Sequence, residues 1–65
     1  MPLIQVHQTP GQTVEQKREL VRALTDTYVK FTGAAEENVW ITIHETSRDD
    51  WAIGGRTLND HASSR

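Results

Sequence analysis

Two short stretches of the chain alternate apolar and polar residues. In "PLIQVHQ", Ile4 and Val6 fall on one face of an extended strand, because successive side chains of a strand point to opposite faces. "NVWITIHE" repeats this alternation, with Val39, Ile41 and Ile43 on one face. The opposite faces carry Leu3, Gln5 and His7 in the first stretch, and Trp40, Thr42 and His44 in the second. Both stretches are therefore predicted to be β-strands.

Between these stretches the apolar residues follow a helical spacing. They recur at steps of one, three and four and form a single stripe: Leu20, Val21, Leu24, Tyr28 and Phe31. Thr13 precedes Gln16 by three residues, which is the spacing of a capping box at the start of a helix. Gly33 follows the stripe, at the place where a left-handed residue commonly ends a helix. The pattern predicts a helix from about Val14 to about Thr32.

The C-terminal part of the chain is more irregular. "WAIGGRTL" is short, apolar and glycine-rich, which predicts a small hairpin or an edge strand. "NDHASSR" shows no periodicity and predicts an irregular tail, mobile unless another subunit holds it. We expect one domain over residues 1–65, with a core over 1–58 and a tail over 59–65.

The order strand, long helix, strand, hairpin predicts an α+β protein. A strand, a helix and a strand form a β-α-β unit, in which the two strands pair in parallel through a right-handed crossover. The helix covers one face of this sheet, but the face that carries Leu3 and Trp40 has no element left in the chain to cover it. Exposed apolar patches of this kind usually mark an interface. We therefore expect an oligomer in which the hairpin is an arm that completes a neighbour's sheet.

Composition narrows the class of protein. The chain has 65 residues, no cysteine and a net charge of −2, so it is one small domain that gains stability from other copies and not from disulfides. The charge balance disfavours nucleic acid and anionic membranes as partners. The histidines have no metal-ligand spacing, no apolar run is long enough to span a bilayer, and the given sequence shows no signal-peptide pattern. We expect a cytoplasmic oligomer without a metal.

Pro2 is the first candidate for chemistry. A small second residue normally allows removal of Met1, after which the chain begins with a secondary amine. A strand can also begin with proline at no cost, because its first residue need not donate to the ladder. Pro2 is therefore either a strand-start proline or a catalytic amine.

Four segments together resemble the 4-oxalocrotonate tautomerase family of the tautomerase superfamily. They are "MPLIQVH", "EQKRELVRALTD", "TGA" and "WAIGGRTL", and the resemblance extends to about Leu58. It implies a homohexamer or a related trimer-based assembly with active sites shared between subunits. It also implies that Pro2 is a general base for enol–keto tautomerisation of a small 2-hydroxy-alkenoate or 2-oxo acid, without a cofactor.

The sequence departs from this family at two substrate-binding positions. The family places arginines where this chain has Gln12 and Trp40, and those arginines grip substrate carboxylates. Trp51 occupies the place of an aromatic pocket wall. Arg56 is the first candidate for a replacement cation, and its other interpretation, which the sequence favours, is a solvated hairpin residue. The resemblance and these departures favour a substrate with one carboxylate.

For several other residues the sequence leaves more than one role open. Trp40 belongs to the pocket, to a subunit interface or to both. His7 and His44 are interpreted as interface or solvent histidines. Arg18 and Arg22 either bind a neighbour's carboxylates or an anionic ligand, or lie on the solvated face of the helix.

Two other functions remain open. The first is hydration or dehalogenation of an unsaturated acid, with a protonated Pro2 as the acid. Such chemistry needs an acidic residue to activate water; Asp49 and Asp50 lie just before Trp51, but nothing in the sequence singles them out. The second is a non-catalytic subunit that supplies only a wall to a site whose proline comes from another chain. The uncharged Gln12 and Trp40 motivate the second alternative.

Overall fold

The computed structural model describes residues 1–63 and has the β-α-β order that the sequence predicts. In chain order the elements are β1 (Leu3–Gln8), α1 (Val14–Thr32), a 3₁₀ turn (Glu36–Asn38), β2 (Trp40–Glu45), β3 (Ala52–Ile53), β4 (Arg56–Thr57) and α2 (Leu58–Ser63).

The two long strands pair in parallel, as predicted. Their register runs from Leu3 opposite Trp40 to Gln8 opposite Glu45. Beyond the strand end, the Thr46 N–H donates to the Gln8 carbonyl at 2.9 Å and extends the ladder. The α+β class and the parallel β-α-β unit are thus confirmed.

Both predicted ends of α1 are confirmed. Thr13 caps the first turn, with its hydroxyl accepting from the Gln16 N–H at 3.1 Å and its own N–H donating to Gln16 Oε1 at 2.9 Å. At the other end Gly33 is left-handed, with φ 74°, and its N–H donates to the Val29 carbonyl at 2.9 Å. A residue without a Cβ takes this conformation at little cost, so the helix ends here.

The helix is longer than the sheet it covers. Nineteen helical residues extend about 28 Å at 1.5 Å per residue, whereas six strand residues extend about 20 Å. The middle of the apolar stripe is partly buried, but Val14 is 60% and Phe31 77% exposed. The prediction that Phe31 belongs to the packed stripe is therefore wrong within one chain, because the last turn of α1 passes the end of the sheet.

The C-terminal segment contains the predicted hairpin. Strands β3 and β4 pair antiparallel across Gly54 and Gly55, which have φ of 64° and 83°. Two successive positive φ angles fit a tight hairpin turn and suit glycine.

The tail contains a helix that the sequence analysis did not predict. Thr57 caps α2 by accepting from the Asp60 N–H at 3.1 Å, and the Leu58 N–H donates to the Trp51 carbonyl at 2.8 Å. The signal was present as a threonine three residues before an acidic residue, which is a capping pattern. Ser64 and Arg65, the remainder of the predicted tail, lie outside the described residues.

A single chain is elongated, and its described residues form no buried core. It measures 47 × 25 × 16 Å with a radius of gyration of 15.5 Å, against about 11 Å for a compact chain of this length. None of the side chains described is fully buried. No described helix is long and apolar enough to cross a membrane. The fold therefore leaves several large apolar side chains exposed within one chain.

We predict that the Thr13 cap stabilises the protein measurably. The Thr13→Ala variant removes the acceptor of the Gln16 N–H and is expected to lower the free energy of unfolding by about 1 kcal/mol. Thr27→Ala, at an exposed position within α1, is the matched control and should change it by less than about 0.5 kcal/mol. Urea denaturation at one fixed protein concentration measures both values. Equal losses in the two variants would contradict the role of the cap.

Candidate functional site

Pro2 is held at the first rung of the parallel ladder. The Trp40 N–H donates to the Pro2 carbonyl at 2.9 Å, one residue before Leu3 and Trp40 face each other in the register. Pro2 is partly exposed, while Met1 before it is 85% exposed. The backbone of Pro2 is therefore fixed by β2, and the residue before it lies in solvent.

Trp40 links this end of the ladder to the uncovered face of the sheet. Its N–H holds Pro2, and its side chain lies with that of Leu3 on the face opposite α1. Trp40 is 54% and Leu3 50% exposed. The two side chains form an exposed apolar patch on this face of the sheet.

Gln12 lies at the other end of β1. Gln8, the last residue of that strand, donates from Nε2 to Gln12 Oε1 at 3.0 Å. A strand of six residues separates this contact from Pro2 by about 20 Å. One chain therefore does not bring Pro2 and Gln12 together, and a site that uses both requires a second chain.

Trp51 and Arg56 lie in the C-terminal segment. Trp51 is partly buried, and its carbonyl accepts from the Leu58 N–H. Arg56 is exposed and donates from Nη2 to the Asp60 carbonyl at 3.0 Å, a contact between the hairpin and α2. Arg56 forms no ion pair with a carboxylate of the residues described.

The arginines of α1 are paired with carboxylates of their own chain. Arg22 Nη2 lies 2.7 Å from Asp26 Oδ1 and 3.4 Å from Glu36 Oε1. The hydrogen bond to Asp26 and the two nearby negative charges raise the pKa of Arg22 above its usual value. Arg18 lies 4.0 Å from Glu15. The interpretation as a solvated helix face fits both arginines.

The acidic residues before Trp51 hold the loop. Asn59 donates from Nδ2 to Asp49 Oδ1 at 2.6 Å, and the Ser47 hydroxyl donates to Asp50 Oδ2 at 3.0 Å. These contacts support structural roles for both carboxylates.

Arg48 has a role that the sequence analysis missed. It donates from Nε to Asn59 Oδ1 at 3.3 Å and from Nη2 to the Leu58 carbonyl at 3.4 Å. Arg48 thereby fixes α2 against the loop that leads to Trp51. No local signal identifies the contact, because the partners are ten and eleven residues away.

The described residues enclose no cavity, and no three of their His, Asp or Glu side chains lie together as a metal site would require. Within the described part of one chain, the candidate site is therefore an open surface at the start of the β1–β2 ladder.

Residues 2–61 match the model of a family described as Tautomerase enzyme. The chain belongs to this tautomerase family. It is 40% identical over 60 residues to the 2-hydroxymuconate tautomerase of Bacillus subtilis (strain 168), covering 92% of this chain and 97% of the relative. It is 33% identical over 55 residues to the 2-hydroxymuconate tautomerase of Comamonas testosteroni, covering 85% and 87%.

Solved structures of tautomerase homologues have the same fold. The crystal structure of YwhB, a homologue of 4-oxalocrotonate tautomerase, superposes with a TM-score of 0.87 at 39% identity, covering 91% of this chain and 97% of that one. A 4-oxalocrotonate tautomerase isozyme from Methylibium petroleiphilum gives a TM-score of 0.91 at 31% identity, covering 98% and 100%. The resemblance inferred from four sequence segments is thus confirmed for the family and for the fold.

We predict that Trp40 is shielded in the assembled tautomerase. A Trp51→Phe variant leaves Trp40 as the only indole, and its fluorescence should be quenched by acrylamide more slowly than that of N-acetyltryptophanamide. The physical reason is that an apolar patch beside Leu3 is a favourable surface for burial. A Trp40→Phe variant reports Trp51 alone as the control. Quenching of Trp40 as fast as that of the free amide would contradict this prediction.

Proposed function

We propose that this tautomerase uses Pro2, freed by removal of Met1, as the general base for enol–keto tautomerisation of a small 2-hydroxy-alkenoate or 2-oxo acid. The preferred substrate carries one carboxylate. The proposed reaction relocates one proton between oxygen and carbon or between two carbons. It transfers no electrons, so the proposal includes no cofactor. The proposed location is the cytoplasm.

The observation that carries the proposal is the family match, which begins at residue 2. It is supported by the hydrogen bond from the Trp40 N–H, which fixes Pro2 at the start of the ladder. The pyrrolidine ring restricts φ, so a prolyl amine anchored in this way keeps its direction. A base with a fixed position removes and returns a proton at defined atoms of the substrate.

To act as a base at neutral pH, the Pro2 nitrogen must be released from Met1 and shielded from water. The exposure of Met1, 85%, leaves the peptide bond before Pro2 accessible to an aminopeptidase. An amine in apolar surroundings has a lowered pKa, because desolvation disfavours its charged form. Trp40 and Trp51 are the proposed sources of those surroundings, together with a second chain.

Self-association is part of the proposal. The accessible surface of one chain is 4939 Å², compared with about 4,200 Å² for a compact protein of this mass. The open face with Leu3 and Trp40, and the separation of Gln12 from Pro2, support a site assembled from several copies. We propose a hexamer or a related trimer-based assembly.

The proposed substrate follows from the neutral side chains of Gln12 and Trp40. Neither offers the charge-assisted, two-point contact with which arginine binds a carboxylate. The relatives named 2-hydroxymuconate tautomerase act, by their name, on a compound with two carboxylates. Arg56, which has no carboxylate partner among the described residues, is the proposed cation for the single carboxylate.

A non-catalytic partner subunit is the second candidate function. The absence of cations at Gln12 and Trp40 favours it, since such a chain needs only to supply a wall. The two candidates differ in the isolated protein. An enzyme is active alone, whereas a partner subunit becomes active only when it is mixed with its counterpart.

We predict that the nitrogen of Pro2 titrates and that activity depends on it. In protein labelled with ¹⁵N-proline, the Pro2 resonance should shift with pH near neutrality, while Pro10 nitrogen, a tertiary amide, should not shift. Pro2→Ala should lower kcat/KM by about 10²–10⁴-fold, the usual contribution of a positioned acid or base. Pro10→Ala is the matched control and should retain activity.

Several outcomes would contradict the general base. A Pro2 nitrogen that does not titrate would mean that Met1 is retained, which mass spectrometry verifies. Titration only well above pH 8 would mean a solvated amine. Full activity of Pro2→Ala would assign the chemistry to another group.

We predict a preference for mono-acids that depends on Arg56. The enol of phenylpyruvate should be converted with a higher kcat/KM than 2-hydroxymuconate. Arg56→Gln should lower that value by roughly 10–100-fold because it removes a charge-assisted contact, and Arg56→Lys should retain part of it. Arg18→Gln removes one positive charge from the helix and is the control. A preference for the dicarboxylate, or equal effects of Arg18→Gln and Arg56→Gln, would contradict the assignment.

A further inference from the structure

The side-chain amides of Gln8 and Gln12 are joined at the carboxyl end of β1. Gln8 Nε2 donates to Gln12 Oε1 at 3.0 Å. Gln8 follows Ile4 and Val6 on the face of the sheet that α1 covers, and like them it is partly buried. An amide on such a face costs free energy unless it forms hydrogen bonds. The contact with Gln12 therefore gives the Gln8 amide a partner.

The backbone on either side of this amide pair is fixed. The Gln8 carbonyl accepts from the Thr46 N–H at 2.9 Å. Thr13, directly after Gln12, caps α1. Between the two glutamines, Gly11 has a φ of 140°, a conformation that favours a residue without a Cβ. A defined turn therefore brings Gln12 back to the end of β1.

The hydrogen bond leaves the nitrogen of the Gln12 amide available. Gln12 is exposed, and no described residue accepts from its Nε2 group, which carries two N–H donors. An unrestrained glutamine can turn either its oxygen or its nitrogen toward a ligand. Because Gln8 holds Gln12 through the oxygen, Gln12 presents the nitrogen. The amide pair is therefore a neutral donor of fixed direction.

The charges at this end of the sheet disfavour an anionic ligand. Glu45 lies opposite Gln8 in the register, and its Oε2 accepts from Lys17 Nζ at 2.8 Å. The positive charge of Lys17 is thus balanced within the chain, and a further carboxylate placed here would compete with Glu45 for it. A neutral acceptor such as a carbonyl oxygen needs only the N–H groups of Gln12.

We infer that Gln8 is a positioning residue for the Gln12 amide, and that the pair selects substrates with a neutral hydrogen-bond acceptor at the end remote from the reacting enol. The acceptor is of the ester, amide or ketone class. The inference rests on the proposed function, in which Gln12 of one copy and Pro2 of another line the same site. In that site Arg56 binds the single carboxylate, and Gln12 binds the other end of the substrate.

The test compares three enol acids that share one carbon chain and differ at the remote end. 2-Hydroxymuconate ends in a carboxylate, its 6-methyl ester in a neutral acceptor, and 2-hydroxyhexa-2,4-dienoate in a methyl group. The kcat/KM of the full-length protein is measured for each at one neutral pH. The ester should have the highest value, at least about threefold above the methyl analogue, because one neutral hydrogen bond contributes about this factor or more. The difference should lie mainly in KM, since the contact is remote from the reacting atoms.

Gln8→Met keeps the length of the side chain and removes the amide. It should reduce the preference for the ester over the methyl analogue to less than about twofold. Gln12→Met should do the same, and the Gln8→Met/Gln12→Met double variant should do no more, because Gln8 acts through Gln12. Gln5→Met is the matched control and should keep the preference. Gln5 lies on the opposite face of β1, where its Oε1 is 3.4 Å from His7 Nε2.

Should Gln8→Met not fold, Gln8→Glu is the second variant. An ionised carboxylate only accepts hydrogen bonds, so it engages Gln12 Nε2 and leaves the Gln12 oxygen facing the substrate. The preference for the ester should again be lost.

The outcomes separate this inference from the proposed function. No conversion of any enol acid contradicts the proposed function, and this inference with it. Conversion that is fastest for the dicarboxylate, or equal for the ester and the methyl analogue, contradicts only the inference. A loss in Gln8→Met that is the same for all three substrates, or that persists beside Gln12→Met, would mean a purely structural role and also contradicts it.

Discussion

Burial of apolar surface is the constraint on which the rest of this structure depends. Two strands of six residues and one helix form two thin layers, and the helix reaches only one face of the sheet. Removal of apolar surface from water is the dominant favourable term in folding, yet no described side chain is fully buried in one chain. The exposed large side chains are Met1, Leu3, Val14, Phe31, Trp40 and Ile53. They mark where other copies contribute to stability in the proposed assembly.

The same constraint connects stability with chemistry. A prolyl amine is a useful base at neutral pH only where water is excluded, and the surroundings of Pro2 in one chain are open. Trp40 contributes to both stability and the candidate site. Its N–H donates to the Pro2 carbonyl, and its indole lies on the uncovered face of the sheet. In the proposed assembly, a copy that covers this face both stabilises the fold and excludes water from the surroundings of Trp40.

The basic side chains differ in the groups of their own chain that they contact. Lys17, Arg18 and Arg22 are paired with carboxylates of the same chain. The guanidinium of Arg48 holds α2 against the preceding loop. Arg56 donates to the Asp60 carbonyl and forms no ion pair with a carboxylate of the described residues.

Local sequence patterns were enough to predict the two long strands, the long helix, the hairpin and the family, but not α2. The limits of α1 followed from the Thr13 cap and from Gly33, because capping uses atoms a few residues apart. The hairpin followed from Gly54 and Gly55 in the same way. Contacts between distant residues depend on the tertiary structure: His7 stacks on His44, the Trp40 N–H donates to the Pro2 carbonyl, and Gln12 lies at the opposite end of β1 from Pro2. The tertiary structure also leaves Phe31 beyond the sheet. These facts depend on strand register and on the relative lengths of helix and sheet, which join residues distant in sequence and leave no mark on local patterns.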